Sequence, residues 1–277
     1  MIRTKEDTCD LDNGVYFFPK PKETATTMQN WVWDAVENAT SEKPQHRNKC
    51  VRVVYKGDYH IDLPVYYKES ETNDSENPQI AVKDAGWSKS DPKEFSKWFK
   101  EQKDKEGQLV KIVRYLKAWC DNRSKKMPNG LTMTVLSCRN IKYNDRDDIC
   151  LRDTLKEIKS SLKTSWSCKM PTTPQDDLLE NYNGDKDYFF ESIESFIDDA
   201  TKAIEQESNQ LKASKLWQKH LGTYFPDGQD IDVDKQANAL AGIASTILDG
   251  KAKLNSAGQI QANEGVSHKP HKNFGGQ

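Results

Sequence analysis

The sequence lacks any apolar run near the roughly 20 residues that a membrane span requires. Its first seven residues, Met1-Ile2-Arg3-Thr4-Lys5-Glu6-Asp7, carry no apolar core of a secretion signal. Together these absences give the cytoplasm as the expected compartment. No cysteine pair has CxxC spacing: Cys9, Cys50, Cys120, Cys138, Cys150 and Cys168 are scattered. That argues against a structural zinc site and for reduced, mostly buried thiols. An excess of charge of either sign is also missing. The 41 basic residues stand against 43 acidic ones, a net charge of -2, whereas a protein that tracks long nucleic acid carries a basic excess to displace counterions. A phosphate-bearing partner is therefore expected to be small and held in a local pocket. The patterns GxxxxGK[ST], GxGxxG, HExxH and GxSxG are absent, so the chemistries that they mark have no signature here. There is no internal repeat.

What is present suits one large domain or two small ones that share an interface, in a chain of 277 residues with 35% hydrophobic and 30% charged side chains. The first ninety residues read as mixed strand and helix. Residues 14–18 form an aromatic strand signal stopped by Pro19 and Pro21. Helical spacing runs over 23–38, with Met28, Trp31, Val32 and Val36 on one face. Residues 51–55 and 59–67 predict two strands around the break Lys56-Gly57-Asp58, and 69–78 a polar loop. From Ser90 the character is helical. Asp91-Pro92-Lys93-Glu94 is a helix start, with a capping Asp and Pro in the first turn. After a break near Gly107, the stripe Leu109, Ile112, Val113, Leu116, Trp119 and Cys120 is the clearest amphipathic pattern in the chain. Further helices are predicted over 131–138, 148–162, 187–215 and 235–248. From Lys251 large apolar residues are few, which predicts a tail without structure. The expected organisation is a mixed core over 1–90, a helical domain over 91–250 and a tail over 251–277.

The strongest chemical signal is Asp10-Leu11-Asp12. On an extended strand residues i and i+2 face the same way, so both carboxylates project side by side. Adjacent like charges are costly unless a cation sits between them, and Mg²⁺ takes a few carboxylates together with phosphate and water. By itself a DxD also fits a pair of solvated aspartates in a turn. A second strand signal, Tyr59-His60-Ile61-Asp62-Leu63-Pro64-Val65-Tyr66, carries one more acid. Asp62 points away from the apolar face formed by Ile61, Leu63 and Val65, and Pro64 places the strand at an edge or close to its end. A separation of about fifty residues suits two strands of one sheet with a helix between them. Three such carboxylates can hold two metal ions, one activating a hydroxyl and one steadying a leaving pyrophosphate.

The strings DLDNGVYF (10–17), YHIDLPVY (59–66), GWSKSDPKEFSKWF (86–99) and VRYLKAW (113–119), with LWQKHLGTYFP (216–226) behind them, resemble the cGAS/DncV-like nucleotidyltransferases, the oligonucleotide cyclases of bacterial CBASS anti-phage systems. The resemblance covers most of residues 7 to 226. It implies an α+β fold with a polymerase-beta-like nucleotidyltransferase core and a helical second half. The implied activity is the joining of nucleoside triphosphates, ATP or GTP among them, into a cyclic di- or trinucleotide, with Mg²⁺ or Mn²⁺ on Asp10, Asp12 and Asp62. It further implies Arg52, Lys117 and Thr132 as nucleotide-binding positions, and it is compatible with a regulatory protein partner. The family carries a Gly-Ser motif upstream of the DxD, and this chain starts nine residues before Asp10. A truncated gene or an internal start codon is therefore expected.

Other residues have plainer readings. Lys117 lies on the border of the apolar stripe, where its stem can rest on the core while the ammonium snorkels outward. Arg52, within Val51 to Val54, reads by position alone equally as a solvent-facing strand arginine or as a phosphate contact. Asp91 is assigned to capping, His60 to local packing, and the tryptophans to the core. His268 and His271 lie in the predicted tail. Two other functions stay open: a non-catalytic, partner-binding chain lacking the Gly-Ser segment, and a nucleotidyltransferase acting on RNA or protein, which the near-neutral charge disfavours.

Overall fold

The computed structural model describes residues 9–55, 59–261 and 265–267. In chain order, strands β1 (Cys9–Asp12) and β2 (Val15–Phe17) precede helix α1 (Ala25–Val36). Strands β3 (Gln45–His46), β4 (Val51–Tyr55), β5 (Tyr59–Leu63), β6 (Val65–Tyr67), β7 (Gln79–Val82) and β8 (Gly86–Lys89) follow. They form two four-stranded sheets, ordered β1-β5-β4-β3 and β2-β6-β7-β8. The break Lys56-Gly57-Asp58 lies outside the described residues, and β4 and β5 pair antiparallel on either side of it. The mixed α+β character expected from the sequence is what the chain adopts.

Both sheets turn on one feature. β1 runs parallel to β5, and β2 runs parallel to β6. Each strand pair changes sheet at the same level, at Asn13-Gly14 on one side and at Pro64 on the other. The Asn13 amide donates to the Asp62 carbonyl (2.8 Å) and the Val15 amide to the Pro64 carbonyl (2.9 Å), so hydrogen bonding continues through the bend. Pro64, which has no amide hydrogen to donate, sits where one ladder stops and the next begins.

Helix α1 covers this region. Thr24 caps it by accepting from the Thr27 amide. Ala25, Met28 and Val32 bury against Val51, Val53, Leu63, Val65 and Ala81. Trp31 departs from the expected face: it is 48% exposed, while Trp33 packs on the core and its Nε1 donates to the Pro44 carbonyl. Strands β7 and β8 lie between the polar loop expected over 69–78 and the helical part expected from Ser90, where no element was anticipated.

The helical part contains α2 (Pro92–Gln102), α3 (Gln108–Asp121), α4 (Gly130–Asn140), α5 (Asp147–Thr164), α6 (Lys186–Glu205), α7 (Gln210–Leu221) and α8 (Val233–Leu248). Asp91 caps α2 by accepting from the Glu94 amide. The stripe on α3 is buried as its spacing predicts, with Leu109, Ile112, Leu116 and Trp119 at the centre. Phe189 and Phe196 close on the Trp119 ring. The single helix anticipated over 187–215 is two, because Asn209 caps α7 by accepting from the Lys212 amide.

The chain divides into two compact units. The first holds β1–β8, α1–α5, α6 to Ile197, and His220–Tyr224; the second holds 198–219 and the described residues from Phe225 onward. In the second, Asp232 caps α8, which buries none of its residues. Where no structure was anticipated, the two-residue strands β9 (Lys253–Leu254), β10 (Ile260–Gln261) and β11 (Val266–Ser267) form a sheet ordered β10-β9-β11. His268 and His271 lie outside the described residues. Among those described, no helix is long and apolar enough to cross a membrane.

Candidate nucleotide and metal site

Parallel pairing sets Asp12 directly opposite Asp62, as Cα partners at the ends of β1 and β5. Both line one cavity of about 660 Å³ just past the bend. Asp10 lies two residues earlier on β1, opposite His60; its side chain lies outside the described residues. Among the described residues no group of three His, Cys, Asp or Glu side chains comes together as a metal site. Two aspartates on adjacent strands at one level still supply the hard oxygen donors that Mg²⁺ takes, and they leave its other positions to phosphate and water. The donor set therefore fits that ion.

Arg52 stands opposite Asp62 on β4. Its Nε donates to Oδ1 at 2.7 Å and its Nη2 to Oδ2 at 2.8 Å, a bidentate pair. Alternation accounts for the placement: Val51 and Val53 face the core beneath α1, so Arg52 faces the other way with His60 and Asp62. Burial alone would raise the Asp62 carboxyl. The guanidinium hydrogen bonds and charge, aided by the Cys50 thiol and by His60, bring it below the usual carboxylate range. Burial and the Asp62 charge push the Cys50 thiol up to about 12, so Cys50 is a neutral donor to that carboxylate.

Two lysines line the same cavity, Lys49 from the residues before β4 and Lys93 from the first turn of α2. Tyr16 and Tyr66, stacked with centroids 4.9 Å apart, form part of its wall, and the Lys93 ammonium lies 5.6 Å from the Tyr16 ring centre. Sequence reasoning missed Lys49, Cys50, Lys93 and the tyrosine pair. Lys93 is visible inside the SDPK string, of which only Asp91 has a role in the sequence reading, that of a helix cap.

Lys117 lines a second cavity, of about 430 Å³, with Arg123, Lys125, Lys126, Asn129 and Gly130. Burial pulls its ammonium below the usual lysine value, against the opposing charge of Asp121. This cavity lies at the N-terminus of α4, where unpaired amides and the helix dipole favour anions. Thr132 is 1% exposed. Its amide and hydroxyl both donate to Asn129 Oδ1, at 2.9 and 3.0 Å, so the hydroxyl is engaged in the cap.

Residues 1–66 match the model of the nucleotidyltransferase domain of the DncV-like cyclic GMP-AMP synthases. A curated relative, a cyclic GMP-AMP synthase of Escherichia albertii, is 26% identical over 184 residues, covering 60% of this chain and 40% of that protein. The crystal structure of the Vibrio cholerae DncV cyclic AMP-GMP synthase, a prokaryotic cGAS homologue, superposes with a TM-score of 0.69 at 19% identity, over 81% of this chain and 65% of that one. The same enzyme bound to GTP and 5MTHFGLU2 gives 0.68 at 19% identity, over 81% and 66%. The chain thus spans two fifths of the curated relative it matches. These comparisons bear out the fold and the family resemblance read from the four strings.

Proposed function

We propose that this chain is a nucleotidyltransferase that joins nucleoside triphosphates into a cyclic oligonucleotide. The observation that carries the reading is the Asp12–Asp62 pair, set opposite each other on parallel strands and opening on one cavity. Asp12 and Asp62, with Asp10 as the third carboxylate, would hold Mg²⁺ or Mn²⁺, which supplies charge neutralisation at the phosphates and activation of a ribose hydroxyl. Lys49 and Lys93 orient phosphate oxygens from the two sides of the cavity. Lys117 and the α4 amides hold a further anionic group in the second cavity, and Thr132 contributes by fixing the cap that aims those amides. In-line attack on an α-phosphate then depends mainly on positioning and on preorganised charge. ATP and GTP are the first substrates to try, because the Vibrio enzyme is described with GTP and makes cyclic AMP-GMP. Resemblance extends the role to a cytoplasmic second messenger in anti-phage defence.

The test incubates the chain and an Asp12→Ala/Asp62→Ala variant with all four labelled nucleoside triphosphates and Mg²⁺ or Mn²⁺, followed by phosphatase and chromatography. A phosphatase-resistant product from the parent alone is the expected result. Metal-dependent triphosphate binding without product would place the chain among non-catalytic nucleotide binders. Absence of both would overturn the assignment.

A further inference from the structure

Asp62 is already engaged before any cation arrives. Both of its oxygens accept from Arg52, and Cys50 adds a third donor. The pair is largely withdrawn from solvent, with side chains 22% and 13% exposed, so water screens it less than a surface ion pair. A divalent cation approaching the remaining lone pairs of Asp62 would sit close to a guanidinium with little water between the two charges. A triphosphate changes that balance. It brings the cation with it, and it offers the guanidinium the bidentate oxyanion that its fork matches.

We infer that Arg52 is a positioning residue that couples metal binding to nucleotide binding: it holds Asp62 in the metal-free site and passes to phosphate oxygens when a cation arrives with a nucleoside triphosphate. The inference rests on the reading of Asp62 as a metal ligand. In the exchange Asp62 moves from guanidinium to cation and Arg52 moves from carboxylate to phosphate, so neither charge is left uncompensated. Arg52 therefore opposes a lone metal ion and favours a metal–nucleotide complex, which keeps the site from filling without substrate.

The experiment titrates Mn²⁺ alone, read by electron paramagnetic resonance, into the full chain and into Arg52→Gln, Arg52→Lys and Asp62→Asn, each checked for fold by circular dichroism. Arg52→Gln should tighten Mn²⁺ about tenfold, the scale on which one adjacent charge alters a carboxylate's proton affinity. Arg52→Lys, which keeps the charge, should stay close to the parent. Adding ATP should strengthen Mn²⁺ binding in the parent more than in either variant. Unchanged or weaker Mn²⁺ binding by Arg52→Gln overturns the inference. If that variant does not fold, Arg52→Lys decides, since an ATP enhancement equal to the parent's is equally fatal. Should Asp62→Asn bind Mn²⁺ as the parent does, the metal assignment itself fails. Loss of Mn²⁺ in Asp62→Asn with no effect of Arg52→Gln removes only the coupling.

Discussion

Lys117 reaches its cavity half-buried, with its side chain against the first residue of α4. A Cβ built on Gly130 would lie 3.1 Å from Lys117 Cε and 3.5 Å from Nζ. The near atoms belong to the far end of a flexible chain, so a small shift relieves the contact. Gly130→Ala should then leave stability unchanged or raise it by up to about 1 kcal/mol, through lower entropy of the unfolded chain. It should also displace the ammonium and weaken triphosphate binding. Thermal unfolding and a nucleotide titration on one sample separate the two effects, and unaltered affinity would remove Lys117 from the site. The border position of Lys117 was legible in the sequence, because helical spacing alone fixes it. The partner of Arg52 was not read, although a three-residue break between β4 and β5 already aligns residue 52 with 62. Thr132 illustrates the opposite limit, since a hydroxyl three residues after a capping Asn is drawn to that cap and spacing cannot reveal it.

Among the elements, α1 is held by more than its apolar face. Gln29 is fully buried. Its Nε2 donates to the Ala81 carbonyl at 3.0 Å and the Asn48 carbonyl at 3.3 Å, and its Oε1 lies 2.9 Å from His46 Nε2. One amide thus ties the helix to β7 in one sheet and to β3 in the other. Gln29→Leu keeps similar bulk but leaves those partners unsatisfied, at a cost of about 1–3 kcal/mol. Urea unfolding measures it, and a neutral result would mean that water replaces the amide. Elements with strong local signals were legible, including the Asp91 cap, the α3 stripe and the stop at Pro64. Strands β7 and β8 were missed because each is only four residues long, Gln79–Val82 and Gly86–Lys89, beside a polar loop. Their turn depends on left-handed conformations at Asp84 and Gly86, which composition does not announce. The break between α6 and α7 did carry a signal in Ser208-Asn209, hidden by the apolar periodicity on either side.

At the scale of the whole chain, apolar patterning locates the core, but it does not show which segments contribute to it across long separations. Residues 220–224 belong with the first compact unit, although α7, which ends with 220 and 221, begins in the second. Within the first unit, the His220 ring stacks on Phe196 with centroids 4.4 Å apart, and Asn122 Nδ2 donates to the His220 carbonyl at 3.1 Å. Helix α8 contrasts with this: it buries nothing, and Leu240, Ile247 and Leu248 are exposed. Two cuts should therefore behave differently. A chain ending after Asp232 loses α8 and the small sheet but retains Leu216, Trp217, His220 and Leu221, all buried. Its midpoint should stay within about 2 °C of the parent, as expected when little core is removed. Ending after Asn209 removes those four side chains, and losses on the order of 3–5 kcal/mol for each large buried ring should abolish cooperative unfolding. Calorimetry on both truncations decides the matter. A large loss from the first cut would mean that α8 supports the fold despite having no buried residue of its own.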